Sequence, residues 1–155
     1  MGTTARVLVG YASIKIATVN VGYTLDGATL TIRSSFADIK VEENIGTIIR
    51  KLTDQEVQIS FNMAEGSLVN LKQAIPGSVL ADAVITIGGG ALQDVEIELI
   101  GDAPDALTTR TIRLPHCNPV GEVGMPFKRG EVSVCPVTFS VLVSDAGVFG
   151  TITDA

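Results

Sequence analysis

Residues 55–63 read Gln-Glu-Val-Gln-Ile-Ser-Phe-Asn-Met, an unbroken alternation with Val57, Ile59, Phe61 and Met63 on one side and Glu56, Gln58, Ser60 and Asn62 on the other. A repeat of two belongs to an extended chain, and a helix cannot gather those four apolar residues on one face. The segment therefore predicts a strand with one face in a core and the other in water. Valine, isoleucine and threonine supply 18, 15 and 15 of the 155 residues. Their branched side chains are stiff at χ1 and fit a pleated surface better than a helix. The expected fold class is mainly β.

A second alternation runs over 94–99, with Val95, Ile97 and Leu99 inward and Asp94, Glu96 and Glu98 outward. A third, over 131–143, changes phase at Cys135-Pro136: Val132 and Val134 are even, whereas Val137, Phe139, Val141 and Val143 are odd. A bulge or an edge position accounts for such a slip. Asp26-Gly27 predicts a hairpin between strands at 19–24 and 28–33, and Gly88-Gly89-Gly90 a hairpin turn from 83–87 into the acidic strand. Further strands are expected at 36–41, 45–52, 107–114 and 148–153. About nine or ten short strands with regular turns point to a β-sandwich or barrel. One short helix is expected over 67–75, with Ser67 as its N-cap, Leu68, Leu71 and Ile75 packing against the sheet, and Pro76-Gly77 as its stop. Glu65 suits the positive end of its dipole. Residues 115–130, interrupted by prolines and glycines and ending in Lys128-Arg129-Gly130, read as an exposed loop.

At 16.2 kDa the chain is expected to form one domain over residues 1–155. Mean hydropathy is high at +0.40, yet no apolar run approaches the ~18 residues of a membrane helix. The opening residues Met1 to Gly10 lack the apolar stretch and cleavage site of a secretion signal, so synthesis inside the cell is the expectation. Cys117 and Cys135 are too few for a disulfide framework and read as buried apolar residues. His116 and Cys117 are adjacent and point to opposite faces of an extended chain, so they cannot share a metal. Asp94, Glu96 and Glu98 stand about 7 Å apart along one face, too far to hold an ion by themselves. With no serine elbow and no partner set for His116, neither catalysis nor a cofactor or metal is expected.

Net charge is −6, and residues 76–155 supply the whole excess, with 4 Lys and Arg against 10 Asp and Glu. An acidic chain without a basic cluster is poorly suited to gripping phosphates. Charged residues are only 18% of the total, fewer than a solvent-covered monomer normally carries. Much of the surface is therefore expected to lie against other copies. The hairpin 36–52, turning at Glu42-Glu43-Asn44 and bearing Asp38, Lys40, Arg50 and Lys51, offers unpaired edges for such contact. Head-to-tail contacts of this kind close into rings or run on as filaments.

Three ordered blocks resemble the tail tube, or major tail, proteins of long-tailed bacteriophages. The first is Val19-Asn20-Val21-Gly22-Tyr23-Thr24-Leu25-Asp26-Gly27-Ala28-Thr29-Leu30. The second runs from Gln55 through Met63-Ala64-Glu65-Gly66-Ser67 to Asn70-Leu71, similar to their strand, Ala-Glu pair and short helix. The third joins Val137 to Asp145 with the terminal Phe149-Gly150-Thr151-Ile152-Thr153-Asp154. The 115–130 segment has no counterpart in the resemblance. What the resemblance implies is a β-sandwich flanked by a helix, forming hexameric rings that stack around a DNA channel in the virion. Its implied partners are further copies of itself and the tape measure, tail-tip or baseplate and tail terminator proteins, with DNA passing unbound and no membrane involved. The wet face Glu56, Gln58, Ser60 and Asn62 is expected to line the lumen, with Asp94, Glu96 and Glu98 as the alternative. The hairpin residues Asp38, Lys40, Glu42, Glu43, Asn44, Arg50 and Lys51 are expected between rings. A tube of a contractile tail or injection machine, and a non-catalytic β-sandwich binding module, are the competing readings.

Overall fold

The computed structural model describes residues 12–22, 24–64, 67–103, 109–127, 129–130 and 134–155. The expectations placed on Met1 to Gly10, Tyr23, Glu65, Lys128 and the start of the 131–143 strand lie outside them. The protein is mainly β, with ten strands among the described residues: β1 (Ala12–Ile16), β2 (Val19–Asn20), β3 (Thr24–Lys40), β4 (Thr47–Met63), β5 (Val79–Ala81), β6 (Val84–Thr86), β7 (Val95–Gly101), β8 (Arg110–Val120), β9 (Cys135–Val141) and β10 (Thr151–Asp154). One helix, α1 (Leu68–Ala74), follows β4. Eight strands form one antiparallel sheet in the order β2-β1-β7-β8-β9-β4-β3, with β10 beside β8, and β5 and β6 form a separate pair.

The alternation read from the sequence sets the register. Val57, Ile59, Phe61 and Met63 of β4 stand opposite Val141, Phe139, Val137 and Cys135 of β9, and all eight are buried. Phe61 and Phe139 stack nearly parallel, ring centroids 6.0 Å apart. Ile14, Ile16, Ile97, Leu99, Leu114 and Cys117 continue the same core from β1, β7 and β8. The sheet curls so that its two halves face each other, and β8 makes the corner. Along one edge, its residues Arg110 to Arg113 pair with β10 and Cys117 to Val120 with β9.

That corner overturns the first part of the loop reading of 115–130, whereas Gly121 to Phe127 are irregular and largely exposed, as that reading expected. Pro115 to Val120 belong to β8, with Cys117, Asn118 and Pro119 buried. Proline is tolerated at 119 because pairing with β7 ends opposite Cys117, leaving no partner on that side for its missing N–H. Pro136 has the same licence: β8 ends opposite Thr138, so Pro136 has a neighbour only in β4. Pro136 thus sits at an edge position within a central strand, while the other phase read for the slip, at Val132, lies outside the described residues.

Both glycine-turn expectations fail. Asp26-Gly27 makes no hairpin, because β3 runs through it and the register jumps between Leu25 and Ala28. The pair is a bulge, with Gly27 at φ +71°. Gly88-Gly89-Gly90 joins no hairpin either, since β6 pairs with β5 and not with β7. The chain instead passes tightly over the helix exit, where the Gly90 N–H donates to the Gly77 carbonyl at 3.0 Å. A Cβ on Gly90 would lie 2.8 Å from that oxygen and 2.9 Å from Val79 Cγ2.

Ser67 caps α1 as expected, its hydroxyl accepting from the Asn70 N–H. The buried face differs from the expected stripe: Leu71 packs on the core, but Leu68 is exposed and Ile75 half-buried. Asn70 and Ala74 are buried instead, and Asn70 donates to the Val21 carbonyl at 2.9 Å. The helix is seven residues long, so its register follows this tie to Val21, just after β2, rather than an apolar stripe.

Gln93 holds the helix exit. Its amide donates to the carbonyls of Lys72 and Ile75 at 2.6 and 2.8 Å, and its oxygen accepts from the Gly77 N–H at 3.0 Å. Its own carbonyl accepts from Asn118 on β8. One side chain thus satisfies groups that a helix end leaves open. Gln93→Ala is expected to cost about 2 kcal/mol, as the Gly77 N–H loses its acceptor and the Lys72 and Ile75 carbonyls are left with Ser78 as their donor. Urea unfolding checks this, and Gln93→Glu, which keeps the acceptor alone, should recover less than half of the loss.

Candidate assembly surfaces

Beyond the Ile32–Val57 pair, β3 and β4 leave the body as a two-stranded arm. Every residue from Thr31 to Asp54 is exposed, with pairing continuous to Lys40 and Thr47. Strands expected separately at 28–33 and 36–41 are one strand, as are those at 45–52 and 55–63. Phe36, Ile39, Ile45, Ile48, Ile49 and Leu52 are all at least 45% exposed. Single exposed apolar residues are ordinary, but a cluster on one projecting element marks an interaction surface.

A free two-stranded ribbon is marginal in water, and cross-strand pairs hold this one. Phe36 stands opposite Leu52 and Ile39 opposite Ile49. Arg50 grips Asp38 with two hydrogen bonds, Nε to Oδ1 at 2.7 Å and Nη2 to Oδ2 at 3.1 Å. The Arg50 hydrogen bond keeps the Asp38 carboxyl below its usual range. Register shifts at Ser35/Phe36 and Ile39/Lys40 twist the ribbon.

All seven hairpin residues expected between rings lie on this arm and are exposed. Asp38 and Arg50 are occupied with each other, Lys40, Glu42, Glu43 and Asn44 lie at or near the tip, and Lys51 stands opposite Ala37, one step nearer the body than that pair. The expected set missed the arm's apolar residues. Their signal was in the sequence as Ile39, Val41, Ile45, Ile48 and Ile49 within eleven residues that also carry Lys40, Glu42 and Glu43.

The outer face of the sheet carries both sets expected in the lumen. Gln58 aligns with Thr31 and Ser140, and Ser60 with Thr29 and Thr138. The Ser60 and Thr138 hydroxyls are 3.3 Å apart. A groove of about 300 Å³ over Thr29, Ser60, Asn62 and Thr138 completes a band of hydroxyls and amides. Its charges stand at one end, where Glu56 accepts from the Gln58 amide at 2.8 Å and faces Arg33 in register.

Asp94, Glu96 and Glu98 are not a free acidic strip. Asp94, just outside β7, lies 3.0 Å from His116 Nδ1, and Glu96 lies 3.0 Å from Arg113 Nη2. Glu98 stands between Lys15 and Arg113 in register. The hydrogen bond that Arg113 donates to Glu96, and behind it the charges of Glu96 and Glu98, hold the guanidinium above its ordinary range. The band around Gln58, Ser60 and Asn62 thus carries fewer charges than the strip around Asp94, Glu96 and Glu98.

Cys117 and Cys135 are free and buried, and burial pushes the Cys117 thiol up to about 12. Among the described residues, no helix is long and apolar enough to cross a membrane, and no three His, Cys, Asp or Glu side chains are placed to hold a metal ion. No protein-family model matches the chain, and no curated protein matches its sequence.

Proposed function

We propose that this chain is a non-catalytic structural subunit of a bacteriophage tail tube, assembling as stacked hexameric rings around a channel through which DNA passes in the virion. The observation that carries the reading is the arm: a long, paired, exposed ribbon whose apolar residues have no cover among the described residues. Burying on the order of 400 Å² of its apolar side-chain surface contributes roughly 10 kcal/mol before the costs of association. The uncharged band suits a wall along which DNA slides, because it offers few cations for phosphates to rest on. Ring number and the tape measure, tail-tip or baseplate and terminator partners follow from the resemblance of the three sequence blocks.

Sedimentation velocity over a concentration series tests this reading. A tube subunit passes from a slow species to very large particles above a threshold, with little else populated. A single 16.2 kDa species at every concentration and salt would count against self-assembly.

A further inference from the structure

Beside α1, which leaves the end of β4 away from the arm, β5 and β6 form a hairpin that no third strand joins among the described residues. Leu80 and Ile85 stand opposite each other and are half-buried. The other face carries Val79, Ala81, Val84 and Thr86, all exposed, and the chain leaving the hairpin adds Ile87 and Leu92. Val84, Ile87 and Leu92 are 62%, 74% and 56% exposed. Apolar residues clustered in this way mark an interaction surface, whereas those on an ordinary monomer are scattered singly.

Charge is missing from the same stretch: Asp82, in the turn, is the only charged residue from Gln73 to Gln93. The chain as a whole carries −6, a like charge that holds copies apart, and this stretch adds little to that repulsion. An uncharged apolar face is complementary to itself, which is what a two-fold contact requires. The surface is also set in advance. The Gly90 N–H donates to the Gly77 carbonyl at 3.0 Å, and the Gln93 side chain bonds Lys72, Ile75 and Gly77, so both ends of the segment are held on the helix exit. Little ordering cost is left for binding. Val79, Val84, Ile87 and Leu92, with the alanines between them, expose on the order of 500 Å² per copy, so a two-fold contact buries roughly 1,000 Å², the size at which a specific, reversible dimer begins.

We propose that this face binds the same face of a second copy, forming a two-fold dimer that leaves both arms free. The dimer does not depend on the tube reading. Beside that reading it is a resting form, because a two-fold pair has no place among the head-to-tail contacts of a tube and must part before assembly.

Sedimentation equilibrium of the full chain, below the threshold for large particles, tests the contact. The expected result is reversible exchange between 16.2 kDa and twice that mass, half complete at about 1–100 µM. Val84→Asp and Val84→Lys should each weaken the dimer at least ~10-fold. Their unfolding midpoints at low concentration should be unchanged, since Val84 is exposed in the free chain. An equimolar mixture of the two variants should dimerise more tightly than either alone, because a two-fold contact sets one variant's face against the other's. A chain that stays monomeric up to the threshold, or a mixture no tighter than its components, would overturn the two-fold contact. Tube formation is read separately above the threshold, so its failure would overturn the tube reading and leave the dimer standing.

Discussion

Replacing residues 35–54 with Asn-Gly should abolish assembly while leaving the body folded. Ser34 and Gln55 are register partners, and Asn-Gly is the preferred two-residue link for such a pair. Nothing removed is buried, so the thermal midpoint is expected to stay within about 3 °C of the parent. Assembly should respond very differently. Even if a fifth to a third of the arm's gross burial term survives as net free energy, its loss raises the threshold roughly 30- to 200-fold. Calorimetry and sedimentation on the same sample separate the two effects. An armless chain that still assembled at the parent concentration would move the interface elsewhere.

Phe139→Ala should have the opposite signature. Phe139 is fully buried at the centre of β9, stacked on Phe61, with Ile59 opposite it in β4. Truncation leaves a cavity that neighbours held in a sheet can only partly fill, and a loss of about 3–5 kcal/mol is expected. Urea unfolding measures it. Ile49→Ala, an equally apolar truncation on the arm, should change stability by less than about 0.5 kcal/mol. A comparable loss in both variants would mean that the arm packs against the body in solution.

Legibility in the sequence followed the physics of each segment. Strands with one dry face could be read because alternation is a direct record of which side meets the core, as in β4, β7 and β9. The turn between β1 and β2 could not, because Ala17 and Thr18 both take positive φ, at 49° and 72°, in residues that seldom do. Asp26-Gly27 and the glycine run misled for the converse reason: glycine permits a bulge or a close backbone approach as readily as a hairpin. The corner in β8 stayed hidden because its prolines are harmless only where a neighbouring strand stops, a fact of topology. Asn70 and Gln93 carried no pattern at all, since their bonds reach 49 residues back to Val21 and 18 residues back to Ile75.

The candidate surfaces divided along the same line. The wet face of β4 was visible as Glu56, Gln58, Ser60 and Asn62, but its neutrality depends on Thr29, Thr31, Thr138 and Ser140, which pairing alone brings alongside. The acidic look of 94–98 reflected one strand read without Arg113, His116 and Lys15. The arm's turn was legible, yet its projection was not, because apolar residues in a hairpin look the same whether a core or another molecule will cover them.

Electron microscopy of the purified full chain, negatively stained across concentration and salt, bears on self-assembly most directly. Hollow tubes of uniform diameter, with six-fold end views, are the expected result. Particles that remain single subunits at every concentration, or that associate only into irregular aggregates, would contradict it.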